Sequence, residues 1–299
     1  LGRAFTVKKE RIAAVRNLEL EMREGEVLAL LGQNGAGKTT TIDMLTGMIS
    51  PSEGDATIFG HSIRKEMDAI HSLSGICPQH DLVFSSLTVA ENIELVAIVK
   101  GLPSDQMESA REALRKVGLN DEQLHKRTNN LSGGQKRKLS LACALVGSPK
   151  FILLDEPTAG MDPKSRRTVW KAISESKPGA AVLLTTHFMD EADALGDAIA
   201  VMHKSRLRAV GTPSNLKERF GKAYRLTFAC SSGVGASANK LLDLVRSHVA
   251  AATVIEQRTE EVSIALPIDS AASFASLFDH LDRAKSSLAV TGYGLSIPT

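Results

Sequence analysis

Val27-Leu28-Ala29-Leu30-Leu31-Gly32-Gln33-Asn34-Gly35-Ala36-Gly37-Lys38-Thr39-Thr40 is the stretch on which the reading of this 299-residue chain turns. Five apolar residues of strand character run into Gly32 to Thr39, which satisfies G-x-x-x-x-G-K-[ST], and a helical stretch follows. Glycines there let backbone N–H groups turn inward around phosphate oxygens, and the helix N-terminus adds the positive end of its dipole. Lys38 is then expected to reach the β- and γ-phosphates, and the Thr39 hydroxyl to ligate Mg²⁺. The pattern predicts a nucleoside triphosphate site formed by Gly32, Gln33, Asn34, Gly35, Ala36, Gly37, Lys38, Thr39 and Thr40. An ordinary glycine-rich turn is the plain alternative, and the strand before and helix after argue against it.

Outward from the loop, further short apolar runs recur: Phe151-Ile152-Leu153-Leu154, Ala181-Val182-Leu183-Leu184 and Ala198-Ile199-Ala200-Val201-Met202. Continuous apolar strands suit a sheet covered on both faces, hence an α/β core with parallel strands. Residues from about 79 to 145 read mostly as helix, with capping-box spacing at Thr88-Val89-Ala90-Glu91. After Gly221 the rhythm changes. Tyr224, Leu226 and Phe228 alternate, Leu241, Leu244, Val245 and Val249 fall at helical spacing, and strands are expected around Val254 and Val262 to Leu266. A helix with Phe274, Leu277, Phe278, Leu281 and Leu288 on one face follows, then an alternation through Tyr293, Leu295 and Ile297. The order β-α-β-β-α-β is that of a small ferredoxin-like α+β domain, so two domains are predicted, 1–221 and 222–299.

Lys and Arg total 36 against 34 for Asp and Glu, a formal charge of +2 that provides no general pull towards nucleic acid or anionic membrane. Partners have to be argued from sites. Cys77, Cys143 and Cys230 lie far apart, with no metal-ligand spacing, and read as reduced thiols, Cys143 as a small core residue. No apolar run approaches the roughly 20 residues needed to span a bilayer. The chain opens on Leu1 without an initiating Met, and reads as a soluble piece of something longer.

Two further stretches carry chemistry. Phe151 to Glu156 delivers Asp155 to a strand's carboxyl end, where a carboxylate serves a metal, and places Glu156 to act on the water attacking a γ-phosphate. Leu131-Ser132-Gly133-Gly134-Gln135 has capping-box spacing from Ser132 to Gln135, so a helix N-terminus and two glycines coincide at a place suited to an anion.

Together with Gln79 in Cys77-Pro78-Gln79-His80, Asp162 in Ala159-Gly160-Met161-Asp162-Pro163 and His187 after Leu183-Leu184-Thr185-Thr186, these motifs resemble the nucleotide-binding domain of ABC ATPases over residues 1–221. The resemblance implies a P-loop NTPase (RecA-like) core with a helical subdomain at 79–145, and ATP with Mg²⁺ as ligands. It implies that Ser132, Gly133, Gly134 and Gln135 bind the nucleotide held by a second such domain in a head-to-tail dimer. Gln79 then matches the Q-loop, touching Mg²⁺ or the attacking water, so Thr39, Gln79 and Asp155 form the expected metal side. Asp162 matches the D-loop, and a plain N-cap with Pro163 at N1 is compatible with it. Glu156 and His187 are the expected catalytic pair. Phe5, the only aromatic residue before the loop, is the expected adenine-stacking residue. Lys126, Arg127, Lys136, Arg137 and Lys138 flank the signature and read as a solvated face.

Gly35 to Thr41, Cys77 to His80, Lys136 to Ser140, Asp162 to Arg167 and His187 to Asp193 resemble the A subfamily of eukaryotic ABC transporters, whose members mostly move lipids and carry a small regulatory domain after the nucleotide-binding one. That resemblance implies a motor at the cytosolic face of a membrane, driving transmembrane domains through residues after Gln79, with no nucleic-acid partner. A separate ATPase subunit of a bacterial exporter is the alternative. An ABC ATPase working on DNA or ribosomes is the rival of another class, and the long coiled-coil insert or basic patch it usually shows is missing.

Overall fold

The computed structural model describes residues 1–7, 10–103, 107–220, 223–230, 237–257, 261–284, 288 and 290–296. The chain divides into two compact units, Leu1–Pro213 and Ser214–Thr299. The division falls ahead of the expected 221/222, which itself lies outside the described residues, so residues 214–220 group with the second unit.

In the first unit a sheet has the strand order Arg206–Gly211, Ala198–His203, Val27–Leu31, Ala181–Thr186, Phe151–Asp155, Ser74–Cys77. Its inner neighbours pair in parallel, as the unbroken apolar runs predict. Val27–Leu31, Phe151–Asp155 and Ala181–Thr186 are buried at every position. Leu28, Leu30, Leu153 and Leu183, each at most 1% exposed, contribute roughly 1.5–3 kcal/mol apiece by leaving water.

The parallel expectation fails at one edge, where Arg206–Gly211 runs antiparallel to Ala198–His203. This strand alternates polar and apolar and is half exposed, which left no apolar run to find. At the other edge Ser74–Cys77 is small because the helix Gly133–Leu145 lies on it: a Cβ at Gly75 would sit 2.0 Å from the Ala144 carbonyl oxygen. A separate antiparallel hairpin pairs Arg3–Val7 with Glu10–Val15.

Between Ser74–Cys77 and Phe151–Asp155 lie the α-helices Val89–Val99, Met107–Lys116, Asp121–Leu124 and Gly133–Leu145. Val89–Val99 begins in the Thr88/Glu91 capping box. Asn92, 2% exposed, satisfies its amide on Phe84, Thr88 and Thr128, which ties the loop after Gln79 to this helix.

The second unit is a four-stranded antiparallel sheet in the order Thr253–Gln257, Glu261–Pro267, Ala223–Cys230, Val290–Ser296. Helices Ser237–His248 and Phe274–Ala284 press Leu241, Val245, Leu277 and Leu281 onto Leu226, Phe228 and Ile264. Chain order and strand order together are those of a ferredoxin-like α+β fold. Leu288 lies past the helix end but packs on the same core. Ile297 and the Cys230 side chain lie outside the described residues. Among the described residues no helix is long and apolar enough to cross a membrane.

Candidate active site

The loop after Val27–Leu31 reverses over a backbone that only glycine takes without strain. Gly35 has φ +78° and Gly37 φ +106°, and Gly37 ends in the left-handed region directly before the helix Lys38–Leu45. Lys38 is 5% exposed, and its ammonium donates to the Gly32 carbonyl at 2.6 Å and the Gln33 carbonyl at 3.3 Å. Burial pushes its pKa down, against the raising effect of the Glu156 and Asp155 carboxylates. Thr39 is exposed at the helix start.

Asp155 ends its strand 2% exposed and accepts a short hydrogen bond from the Thr185 hydroxyl of the neighbouring strand. Glu156 turns into the left-handed region with φ +50°, uncommon for a residue with a side chain. Its N–H is held by both the carbonyl and the hydroxyl of Thr185, each at 3.1 Å. The turn carries the Glu156 carboxylate, 11% exposed, to 3.1 Å from His187 Nδ1 and 3.8 Å from Lys38 Nζ. Lys38, Asp155, Glu156 and His187, far apart in sequence, thus converge at the carboxyl ends of three adjacent parallel strands, where open α/β sheets bind ligands.

His187 stands on a braced loop. Phe188 packs on its ring with centroids 4.0 Å apart, and the Arg166 guanidinium lies 4.7 Å above Phe188 and 3.4 Å from Asp190. Behind it Glu191, 1% exposed, accepts from Thr158 at 2.6 Å and Trp170 at 3.1 Å, joining the turn after Glu156 to the helix Met189–Leu195.

Other expected residues stand apart from this cluster. Ser132 caps the helix Gly133–Leu145 in a complete capping box with Gln135, and among the described residues the bonds of this motif stay within its own helix turn. Asp162 caps Pro163–Ser176, accepting from the Lys164 and Ser165 N–H groups at 3.0 Å; the Ser165 bonds foremost lower its pKa. Gln79 is exposed. Phe5 lies in the Arg3–Val7 strand with the Arg3 guanidinium 4.8 Å over its ring.

One expectation is overturned. Lys126 and Arg127 are exposed, but Arg137 is 4% exposed. Its Nε donates to Pro157 O at 3.3 Å, Nη1 to the carbonyls of Pro78 and Gln79, and Nη2 to those of Asp155 and Glu156. Asp81 is its only ion-pair partner among the described residues, at 3.3 Å. The charge run hid a spacing signal: Arg137, Ser140, Leu141 and Ala144 share one face of the helix, and all are buried. Thr185 and Arg166 were missed too; Thr185 was visible only as a polar residue ending an apolar strand. Cys143 is half-buried, with its thiol pushed up to about 12 by burial.

The family described as "ABC transporter" matches residues 15–159, and that described as "ACT-like domain" matches residues 224–299. Human phospholipid-transporting ATPase ABCA3 is 41% identical over 300 residues, covering 100% of this chain and 17% of the relative. Rat cholesterol transporter ABCA5 is 41% identical over 305 residues, covering 100% of this chain and 18% of the relative. The chain therefore spans under a fifth of the length of these relatives. Among solved structures, the dimeric bacterial ABC transporter cassette MJ0796 superimposes with a TM-score of 0.65 at 25% identity, over 71% of this chain and 95% of that one. A second form of the same cassette, a post-hydrolysis state bound to ADP and Pi, superimposes equally well.

Proposed function

The chain is an ABC transporter ATP-binding domain followed by an ACT-like domain, and from that premise we propose that it is the ATP-hydrolysing motor of a membrane transporter whose cargo is lipid. The observation that carries the hydrolytic part is the convergence of Lys38, Glu156 and His187 within hydrogen-bond or ion-pair distance. The lipid cargo rests on the relatives, named for phospholipid and cholesterol transport, and not on any pocket in this chain.

In this reading the backbone N–H groups of Gly32 to Thr40 cradle the phosphates and Lys38 neutralises the β/γ oxygens. Glu156 accepts the proton of the attacking water, and His187 fixes the Glu156 carboxylate and contacts the γ-phosphate. Phe5 stacks on adenine. Mg²⁺ fits the donors present: Thr39 supplies a hydroxyl, Asp155 a carboxylate and Gln79 an amide oxygen, all hard ligands. Such ions take one or two carboxylates and complete their shell with phosphates and water. Among the described residues no group of three His, Cys, Asp or Glu stands where it could hold a metal ion. When bound, the ion polarises the phosphoryl oxygens.

Ser132 to Gln135 complete the site of a second nucleotide-binding domain in a head-to-tail pair, with Asp162 at the crossing. MJ0796 is dimeric in both structures, which supports the pairing of two such domains. Closure on ATP and reopening after hydrolysis pass through the loop after Gln79 to transmembrane domains, with the chain on the cytosolic face. The 222–299 segment is a regulatory domain in this reading.

The test is Glu156→Gln in the full-length transporter reconstituted in phospholipid vesicles. ATP hydrolysis and lipid movement are expected to fall at least about 100-fold, the range general-base removal produces, while ATP binding persists. Unchanged turnover overturns the assignment of Glu156; hydrolysis lost without any effect on lipid movement overturns the transport reading.

A further inference from the structure

Arg137 is five residues into the helix capped by Ser132, so the helix that presents the signature motif also carries a buried guanidinium. That guanidinium does not finish inside its own helix. Its N–H groups are taken by carbonyls at two strand ends: Pro78 and Gln79 after one sheet strand, and Asp155, the last residue of the adjacent strand, with Glu156 and Pro157 after it. A buried cation needs compensation, and five carbonyl dipoles plus one carboxylate, Asp81, provide it. All five donors of the fork are spent, a task no ammonium can copy, because lysine offers three donors from one point.

The consequence for Glu156 is specific. Its left-handed backbone is held at the N–H by Thr185 and at the carbonyl by Arg137 Nη2 at 3.0 Å. A non-glycine residue persists in that region only when its surroundings over-determine it, and the direction of the Glu156 carboxylate towards His187 and Lys38 follows from that turn. Arg137 thus grips the backbone of the expected general base and of Gln79 from a single helix.

We propose that Arg137 is a positioning residue that holds Glu156 and Gln79 in register with the signature helix, so that movement of Ser132 to Gln135 is transmitted to the nucleotide site of the same chain. This rests on the motor reading above. A signature helix drawn towards a partner's nucleotide carries Arg137 with it, and the two loops follow because their carbonyls are its ligands. The physical path is one side chain long at each end.

The experiment compares Arg137→Lys, Asp81→Ala and Glu156→Gln in the full-length transporter in phospholipid vesicles, reading kcat and KM for ATP, nucleotide affinity without turnover, and melting temperature. Arg137→Lys is expected to lower kcat roughly 10- to 100-fold, the scale of a catalytic group displaced by about 1 Å, with ATP affinity and KM within about threefold. Asp81→Ala, which removes the carboxylate beside the fork and keeps the fork itself, is expected to lower kcat by severalfold with KM unchanged. Wild-type kcat in Arg137→Lys overturns the proposal, as does loss of ATP affinity in step with loss of folding, which is the mark of scaffolding alone. If Arg137→Lys does not fold, Asp81→Ala decides, and an unchanged kcat there overturns it. Full activity in Glu156→Gln would instead overturn the assignment of Glu156 as general base in the motor reading, and is thereby told apart.

Discussion

A Cβ added at Gly37 would lie 2.4 Å from the Ala14 carbonyl oxygen, and one at Gly32 would lie 2.5 Å from that of Met202; at Gly133 or Gly134 it would meet nothing within 4 Å. Both motifs are rich in glycine, yet only the first needs it for reasons found inside this chain. The P-loop requires left-handed backbone at Gly35 and Gly37 and close approach at Gly32 and Gly37. The signature glycines are the first two residues of an ordinary helix, a place where alanine is the better helix former. A sequence that gives up helix stability without an internal cause points to something outside that must approach the backbone closely, and a second domain's nucleotide meets that description. The P-loop glycines answer to contacts inside this chain, and the signature glycines answer to none among those contacts.

The contrast breaks first, and with the largest effect, at Gly37. Gly37→Ala is expected to destabilise the first unit by about 1–2 kcal/mol for a forced left-handed residue, with roughly 1–3 kcal/mol more for the contact with Ala14, read by urea denaturation. An unchanged midpoint would show that the loop relaxes freely and that its glycines are not internally required. Ser132→Ala sharpens the other side: the lost cap is expected to cost about 1 kcal/mol in the same measurement, and ATP hydrolysis by the assembled transporter to fall further than that loss of folding explains. Gly134→Ala carries the smallest stability change and the most informative one. Stability should hold or rise by up to about 1 kcal/mol while hydrolysis falls; a variant that is destabilised would place the glycine requirement back inside the chain.

Legibility in the sequence followed the range of the interaction. The P-loop, the capping boxes at Thr88 and Ser132, the Asp162 cap and the alternation of Leu226 and Phe228 all express needs that neighbouring residues settle among themselves, and each was read from spacing. The edge strand Arg206–Gly211 and the small strand Ser74–Cys77 escaped because their character comes from exposure and from a helix laid against Gly75. Arg137 escaped for the sharpest reason. In a run of Lys-Arg-Lys, charge argues for solvent, and only the loops that surround it supply the carbonyls that make burial tolerable.

By itself the sequence determined a phosphate-binding loop between strand and helix, an α/β core, a βαββαβ domain after it, and the helix caps, because dihedral freedom, period and capping are local properties of a chain. Tertiary structure alone decided that Thr185 holds both Asp155 and Glu156, that His187 meets a carboxylate 31 residues away, and that one arginine ties the signature helix to two loops. Those contacts depend on which strands lie side by side and in what register, and a hydrogen bond exists only where that packing brings donor and acceptor within about 3 Å.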